Sequence, residues 1–458
     1  MSVAERLAEY VVGLSFENLP ENVINSAKQV LLDTLGCAIG GYDGEPSKIV
    51  RSLIEGTGAR GKSTIIGSGA KTTAPNATLA NGVMARILDF NDVYIARDAT
   101  HPNEPVILPA LAVGEERRVS GQQLITAIVA GYEVDMRFAE VVSKGIDARG
   151  FSQTATLGQY VTPIVAGKLM GLNADQIANA VGICGCHNIS LGGVWYGKVT
   201  MTKQILNAFS AQSGVVAAQL AEKGFTGPTK IIEGTMGFCE AVAGGACDLD
   251  KLTKDLGEGY KIVDCWIKAH SCCLRAHPAI DATLELVRMH NLTAEDVKKI
   301  RVRTYKIAVE EVSGPIKYKP ASVPEAQFSL PYCLASAIIY RLIGPDQFTQ
   351  DRLTDPRVLD LASKVAVEAD PELEKSYPEM LPAVVELETN KGLKVSKRAD
   401  FQKGHSRNPL TDEELRGKFK NLASKFMKER QISDLISAVY NLEEIDDVGK
   451  LAKMLVLQ

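Results

Sequence analysis

Residues 86–109 read Arg86-Ile-Leu-Asp89-Phe-Asn91-Asp92-Val-Tyr-Ile-Ala-Arg-Asp-Ala-Thr100-His101-Pro102-Asn103-Glu104-Pro105-Val-Ile-Leu-Pro109. Acids, a Thr-His-Pro turn and several amide side chains stand here between two apolar patterns. The segment before it, Asn76 to Leu88, is small and apolar with helical spacing, and Pro109 to Glu116 opens the next helix. Asp89, Asn91, Asp92 and His101 are therefore expected to line a loop held between two packed helices, and connections carry chemistry more often than helices do. The residues alone leave a plainer reading open, in which Asp89 and Asp92 end a helix and Thr100-His101-Pro102 is an ordinary turn.

Outward from that loop the chain is mainly helical. Between Pro20 and Ala38 the residues Val23, Ile24, Ala27, Val30, Leu31, Leu35 and Ala38 recur at three- and four-residue steps, with Gly40-Gly41 as the stop. Similar patterns run through Gly121 to Ala139, Thr156 to Gly171, Ala174 to Gly185, Ile205 to Lys223 and Leu252 to Leu256, and nothing there alternates like a sheet. After about Cys265 the texture changes. Lys299 to Glu311 and Val384 to Thr389 alternate apolar with polar, and the second leads through Asn390-Lys-Gly392 into the return strand of an expected hairpin. Glu325 to Leu342 and Pro356 to Lys364 read as helices, and Asp412 to Gln458 is again helical and amphipathic. The expected fold is mainly α: a large all-helical domain formed by both chain ends, residues 1–264 and 401–458, with a smaller α+β domain inserted at 265–400.

Composition narrows the function. The chain has 458 residues, 45% apolar and 23% charged, with a formal charge of −4, which gives no reason to expect a nucleic-acid partner. No apolar run reaches the roughly 18 residues of a membrane span, and the start lacks a signal peptide's apolar stretch, so a cytoplasmic enzyme with no membrane partner is expected. Nine cysteines, mostly inside apolar patterns, fit free thiols better than disulfides. Cys184-Gly-Cys186 and Cys272-Cys273 lack a second pair at ligand spacing, so neither a metal nor an iron-sulfur cluster is expected.

Breaking a C–H bond next to a carboxylate requires cations around that carboxylate and a base beside the carbon. Four segments offer them: Asp89 and His101; Lys198 and Lys203; Lys268, His270, Arg275 and His277; and Tyr318 with Lys317 and Lys319. His101 suits proton transfer because its intrinsic pKa lies near neutrality, and Asp89 either orients it or acts as the base itself. Trp266, Ile267 and the paired cysteines point to partial burial of Lys268, which makes it a carboxylate ligand or an acid–base group. A solvated surface lysine is the plainer reading of Lys203, and His277 divides between a structural and a catalytic role.

The loop, with Leu-Asp89-Phe-Asn-Asp followed by Thr-His101-Pro, resembles the signature of the 2-methylcitrate dehydratase (MmgE/PrpD) superfamily. Further matches are Leu31-Leu-Asp-Thr-Leu-Gly36, Met201-Thr-Lys203, Gly224-Phe-Thr-Gly-Pro228, Lys268 with Cys272-Cys273 and His277-Pro-Ala-Ile-Asp281, Glu325 to Tyr332, and Asn408-Pro-Leu-Thr-Asp-Glu-Glu-Leu415. The resemblance implies a helical domain and a lid-like domain with the active site between them, in a homodimer without a cofactor. It implies Asp89, His101 and Lys268 as catalytic, and Lys203, Asn91, Arg275, His277, Lys198 and Tyr318 as ligands of a small di- or tricarboxylate. Within the superfamily three reactions are known: dehydration of 2-methylcitrate, decarboxylation of cis-aconitate and epimerisation of iminodisuccinate. This chain departs from the decarboxylase pattern at Val93, where a threonine is usual, and at Ser152, where a histidine is usual; the dehydratases too carry a histidine near Ser152-Gln153, and their Ser-Asp-Asn has become Asn103-Glu104-Pro105. Lys268 to His277 looks more like the epimerase and decarboxylase branch. Dehydration is preferred because it needs one acid and one base, and it implies propionate metabolism; decarboxylation, epimerisation and an inactive carboxylate-binding homodimer are the alternatives.

Overall fold

A computed structural model describes residues 1–187, 189–195, 199–245 and 247–457. Helix starts follow local chemistry: Ser2 with Glu5, Ser120 with Gln123, Asn173 with Gln176 and Thr411 with Glu414 each form a capping box. Helices Val3–Gly13, Glu21–Gly40, Ala74–Arg86, Asn103–Arg117, Gly121–Ala148, Gln153–Met170, Ala174–Gly185 and Leu206–Glu222 contribute to one apolar core. The far end of the chain completes it. From Asp412–Ala423, Glu429–Tyr440 and Gly449–Met454 come Leu415, Phe419, Leu435, Val439 and Leu451, buried in the same cluster. Gly36 permits the join, since a Cβ there would lie 3.0 Å from the Phe419 ring.

A second core runs from Cys272 to Leu387. It packs helices His277–Met289, Leu330–Tyr340 and Pro356–Ser363 with a four-stranded sheet ordered Val365–Ala369, Val297–Thr304, Ala383–Thr389 and Lys394–Ala399. The first pair is parallel and the other two antiparallel, and the Ala383–Thr389 and Lys394–Ala399 pair is the hairpin read from the sequence. A small apolar cluster of Val93, Ile95, Trp266, Leu274, Tyr305, Ala308 and Leu381 packs at the joint beside the 86–109 loop.

Several details differ from expectation: the helix read at Leu252 to Leu256 is Asp250–Thr253, strand Val297–Thr304 gives way to helix Lys306–Val312 before Glu311, and Glu325 to Leu342 divides between helices Val323–Gln327 and Leu330–Tyr340. Pro109 lies inside helix Asn103–Arg117 instead of opening it. A proline there has no N–H for the Pro105 carbonyl, and Thr162 Oγ1 donates to that carbonyl instead at 2.7 Å. Helix Gly121–Ala148 runs nine residues beyond Ala139, and Arg137 Nε bonds Glu133 Oε1 across one of its turns at 2.5 Å. Two-residue ladders, Ser63–Thr64 with Lys71–Thr72 and Tyr94–Ile95 with Ala99–Thr100, interrupt the helical region, the second within the loop itself.

Gly404 joins the C-terminal arm to the segment carrying Lys268. Its φ is +93°, its carbonyl accepts from Ile267 N at 3.1 Å, and a Cβ would lie 1.8 Å from the Ile267 oxygen. Gly404→Ala is expected to lose about 1–3 kcal/mol of stability, read as a lower urea midpoint; an unchanged midpoint would show that the two segments separate freely.

Candidate active site

A cleft with about 880 Å³ of empty space is lined by Arg86, Asp89, His101, Ser152, Lys268 and Arg275, among others. Asp89 stands at its charged end. Helix Ala74–Arg86 ends just before it, and Asp89 takes a left-handed backbone conformation, φ +48°, which Asp tolerates better than most residues. Its carboxylate lies 2.7 Å from Lys268 Nζ, 2.8 Å from Lys203 Nζ and 3.5 Å from Arg86. All four side chains are buried.

Burial alone would raise the Asp89 carboxyl, but the charges of Lys203, Lys268 and Arg86 outweigh it and hold the group well below the usual carboxylate range. Burial pushes Lys203 down to about 8 against the opposing pull of Asp89, and Arg86 adds to the fall. Its ammonium also lies 4.3 Å from the centre of the Phe328 ring. Three cations against one carboxylate leave an excess of two positive charges. Glu104, 3.5 Å from Arg86 Nε and pushed up to about 7 chiefly by burial, offsets only part of that excess at neutral pH. Buried charge without a partner is expensive, so this cluster is built to receive an anion.

His101 Nδ1 lies 2.6 Å from the carbonyl oxygen of Asp92. A carbonyl only accepts, so Nδ1 carries the hydrogen and a neutral ring keeps its lone pair on Nε2. Burial, followed by the charges of Arg86 and Lys268, holds the imidazole well below its usual pKa. The backbone N–H of His101 donates to Thr154 Oγ1 at 3.0 Å, which ties the turn to helix Gln153–Met170. Asp92, which supplies the carbonyl, is itself buried, accepts from Tyr132 and is pushed up to about 7, mainly by burial.

Another charged group in the lining has the other polarity. Arg275 is held between Glu311 at 2.5 Å and Asp98 at 3.2 Å, and Asp147 also lines the cleft.

Asp89, His101, Lys268 and Arg275 thus share one cleft, although Asp89 pairs with the two lysines and it is Asp92 that orients His101. Lys203 meets the cleft through Asp89 and Phe328 and is not itself on the wall. Besides Lys203, three residues expected to touch a ligand are off the wall. Asn91 is buried behind it, bonded to Arg86, Asn103 and Glu104. His277 is fully buried behind Lys268, its Nε2 3.3 Å from the Cys272 carbonyl that Lys268 also binds. Tyr318 is half-buried and away from the cleft, while the adjacent Lys317 is buried 5.8 Å from the Phe328 ring centre. Lys198 lies outside the described residues.

The model of the MmgE/PrpD N-terminal domain matches residues 5–248, and that of the C-terminal domain matches residues 270–443. The chain belongs to the MmgE/PrpD family. Among its relatives are the cis-aconitate decarboxylase of Homo sapiens, 28% identical over 99% of this chain and 94% of that one, and a cis-aconitate decarboxylase-like protein of Aspergillus oryzae, 25% identical over 99% and 97%. The 2-methylcitrate dehydratase of Salmonella typhimurium is 23% identical over 81% of this chain and 78% of that one. Decarboxylation and dehydration, two of the three reactions anticipated, are thus represented among the relatives of this MmgE/PrpD chain.

Sequence reasoning passed over Arg86, Glu104 and the Asp98–Arg275–Glu311 arrangement. Arg86 had a signal: it is a lone charge at the end of a helix otherwise made of small, apolar and amide residues. Among the described residues no three His, Cys, Asp or Glu side chains are grouped to hold a metal ion, all nine cysteines are free, and no helix is long and apolar enough to cross a membrane.

Proposed function

We propose that this MmgE/PrpD chain is a lyase that removes a proton from the carbon next to a carboxylate in a small di- or tricarboxylate, with dehydration of the 2-methylcitrate type as its reaction. The observation that carries this reading is the buried excess of positive charge at Asp89 in the same cleft as a neutral His101. The substrate carboxylate lies against Arg86 and Lys268, which line the cleft, while Lys203 holds Asp89 from behind and adds its charge. His101 Nε2 takes the carbon-bound proton, the electron pair left behind spreads into the carboxylate, and the cations stabilise it there. Lys268 protonates the departing hydroxyl, which leaves as water as the double bond forms. The bound anion favours the imidazolium and so raises the basicity of His101 at the step that needs it.

Decarboxylation is the second reading, favoured by the decarboxylase relatives' coverage of 99% of this chain against 81% for the dehydratase. That reaction needs a proton donor to carbon, which a histidine held neutral supplies poorly. Proton NMR in deuterated water with 2-methylcitrate, citrate and cis-aconitate separates the readings. Replacement of the 2-methylcitrate methyl doublet by a downfield singlet, as its CH–CH3 carbon enters the double bond, supports dehydration; loss of CO2 from cis-aconitate supports decarboxylation, and deuterium exchange without alkene points to epimerisation.

Lys203 gives the reaction a basic limb. With its pKa at about 8, its charge disappears above that pH, the excess around Asp89 falls, and carboxylate binding weakens. The kcat/KM profile is expected to fall about tenfold per pH unit above 8, and Lys203→Arg is expected to move that limb to higher pH. An unmoved limb would assign it to another group. For assembly, exposed Phe209, Val216 and Leu220 along helix Leu206–Glu222 support a homodimer, to be checked by sedimentation equilibrium.

A further inference from the structure

The segment Asn408 to Leu415 takes no part in the chemistry above, yet it sets the start of a helix with an unusual inner face. Thr411 and Glu414 cap helix Asp412–Ala423, whose buried positions are Leu415, Lys418, Phe419, Leu422 and Ala423. A lysine thus occupies a core position of an amphipathic stripe. Its ammonium lies 2.5 Å from Asp33 Oδ1 on helix Glu21–Gly40 and 3.8 Å from the centre of the Phe90 ring. It also donates to the Phe90 carbonyl at 2.7 Å and to the Lys268 carbonyl at 2.8 Å.

Those two carbonyls belong to the two sides of the active site. Phe90 follows Asp89, and Lys268 is the residue whose side chain binds Asp89. Four successive carbonyls on the Asp89 turn receive donors from elsewhere in the chain: Ile87 from Gln327, Leu88 from Ser271, Asp89 from Lys268 and Phe90 from Lys418. Val93 and Trp266 then exchange backbone hydrogen bonds at 2.9 Å. Among these four side-chain donors Lys418 is the one that comes from outside both segments, on the C-terminal arm, and bonds both with one atom. A pair with Asp33 alone would satisfy its charge, so the two carbonyl bonds are what it adds to the site.

We propose that Lys418 is a positioning residue of the active site: by bonding Phe90 and Lys268 together it fixes the spacing between the Asp89 turn and the Lys268 segment, with Asp33 as its counter-ion. The effect on turnover rests on the lyase reading. When a substrate carboxylate draws Lys268 away from Asp89, the side-chain pair weakens, and the link through Lys418 keeps the two backbones in register. The geometry on which proton transfer depends is then held from behind, by a residue that never touches the ligand.

Lys418→Met alone would leave Asp33 buried without a partner, so the test removes both charges in D33N/K418M and combines a crystal structure with kinetics at a temperature well below the variant's Tm. The expected structure separates the Asp89 turn from the Lys268 segment by about 1 Å, and the expected kinetics show a kcat lowered about 10- to 100-fold. KM is expected to stay within about threefold, because Arg86 and Lys203 remain. A folded variant with unchanged spacing and unchanged kcat overturns the proposal. Should D33N/K418M not fold, Lys418→Arg poses the same question, since it keeps the charge beside Asp33 but replaces the compact ammonium with a wider planar fork; wild-type spacing and kcat in that variant also overturn it. If the wild-type protein turns over none of the acids, the lyase reading fails, and the spacing in the variant crystal structure still decides the role of Lys418.

Discussion

His101→Asn is expected to lower turnover about 10²- to 10⁴-fold, the range for loss of a general base, with little change in affinity for a tricarboxylate. The separation of the two effects follows from the cleft: Arg86 and Lys268 hold the anion, and His101 supplies the lone pair. The same substitution has a pH signature in stability. In the folded protein the imidazole is held well below its usual pKa, chiefly by burial. Below about pH 6.5 the unfolded chain therefore binds a proton that the folded chain refuses, and the wild type loses stability as pH falls. Asn does not titrate, so the variant is expected to gain on the wild type between pH 7 and pH 5 in urea titrations. Unchanged turnover would remove His101 as the base, and parallel stability curves would show that it is solvated.

Asp89→Asn is expected to destabilise the fold by about 3–5 kcal/mol, because it leaves Lys203, Lys268 and Arg86 facing one another without their carboxylate. The loss has a ceiling. A lysine that gives up its proton at pH 7 costs about 5 kcal/mol, at 1.36 kcal/mol for each pH unit below its free value. In the wild type the folded pKa of Asp89 lies below its unfolded value, so its contribution is fully present above about pH 4 and is lost as pH falls through the folded value. In the variant Lys203, already at about 8 in the wild type, falls further. The gap between the two proteins is thus expected to narrow as pH rises towards 8, where the variant has already lost that charge, and to level off above 8, where the wild type loses it too. A gap that stays constant would mean that Lys203 was never charged beside Asp89.

The sequence loop announced the site's residue types but not their pairing. Asp89 and His101 look like partners at a spacing of twelve, yet Lys203 and Lys268, 114 and 179 residues away, take the carboxylate. Periodicity carries no information about which distant cation reaches a buried acid. Helix starts were legible where caps are chemical, as at Ser120 and Asn173. Strand Val365–Ala369 was not, because it is an edge strand with one buried residue and so has no two-residue alternation to read. Pro109 misled for a related reason: the group that rescues its helix, Thr162, lies on another helix.

The arrangement of the helical core also has a consequence for biosynthesis. The Phe90 carbonyl waits for Lys418, made 328 residues later, and at ribosomal speeds of 5–20 residues per second that interval is roughly 20 to 60 s. Throughout it the nascent chain presents the apolar seat of Phe419 to its surroundings, together with the Asp33 carboxylate, whose counter-ion has yet to be made. Such a chain is expected to need chaperones until translation is nearly done, and a ribosome stalled shortly before codon 418 is expected to release material that is degraded rather than a slow enzyme.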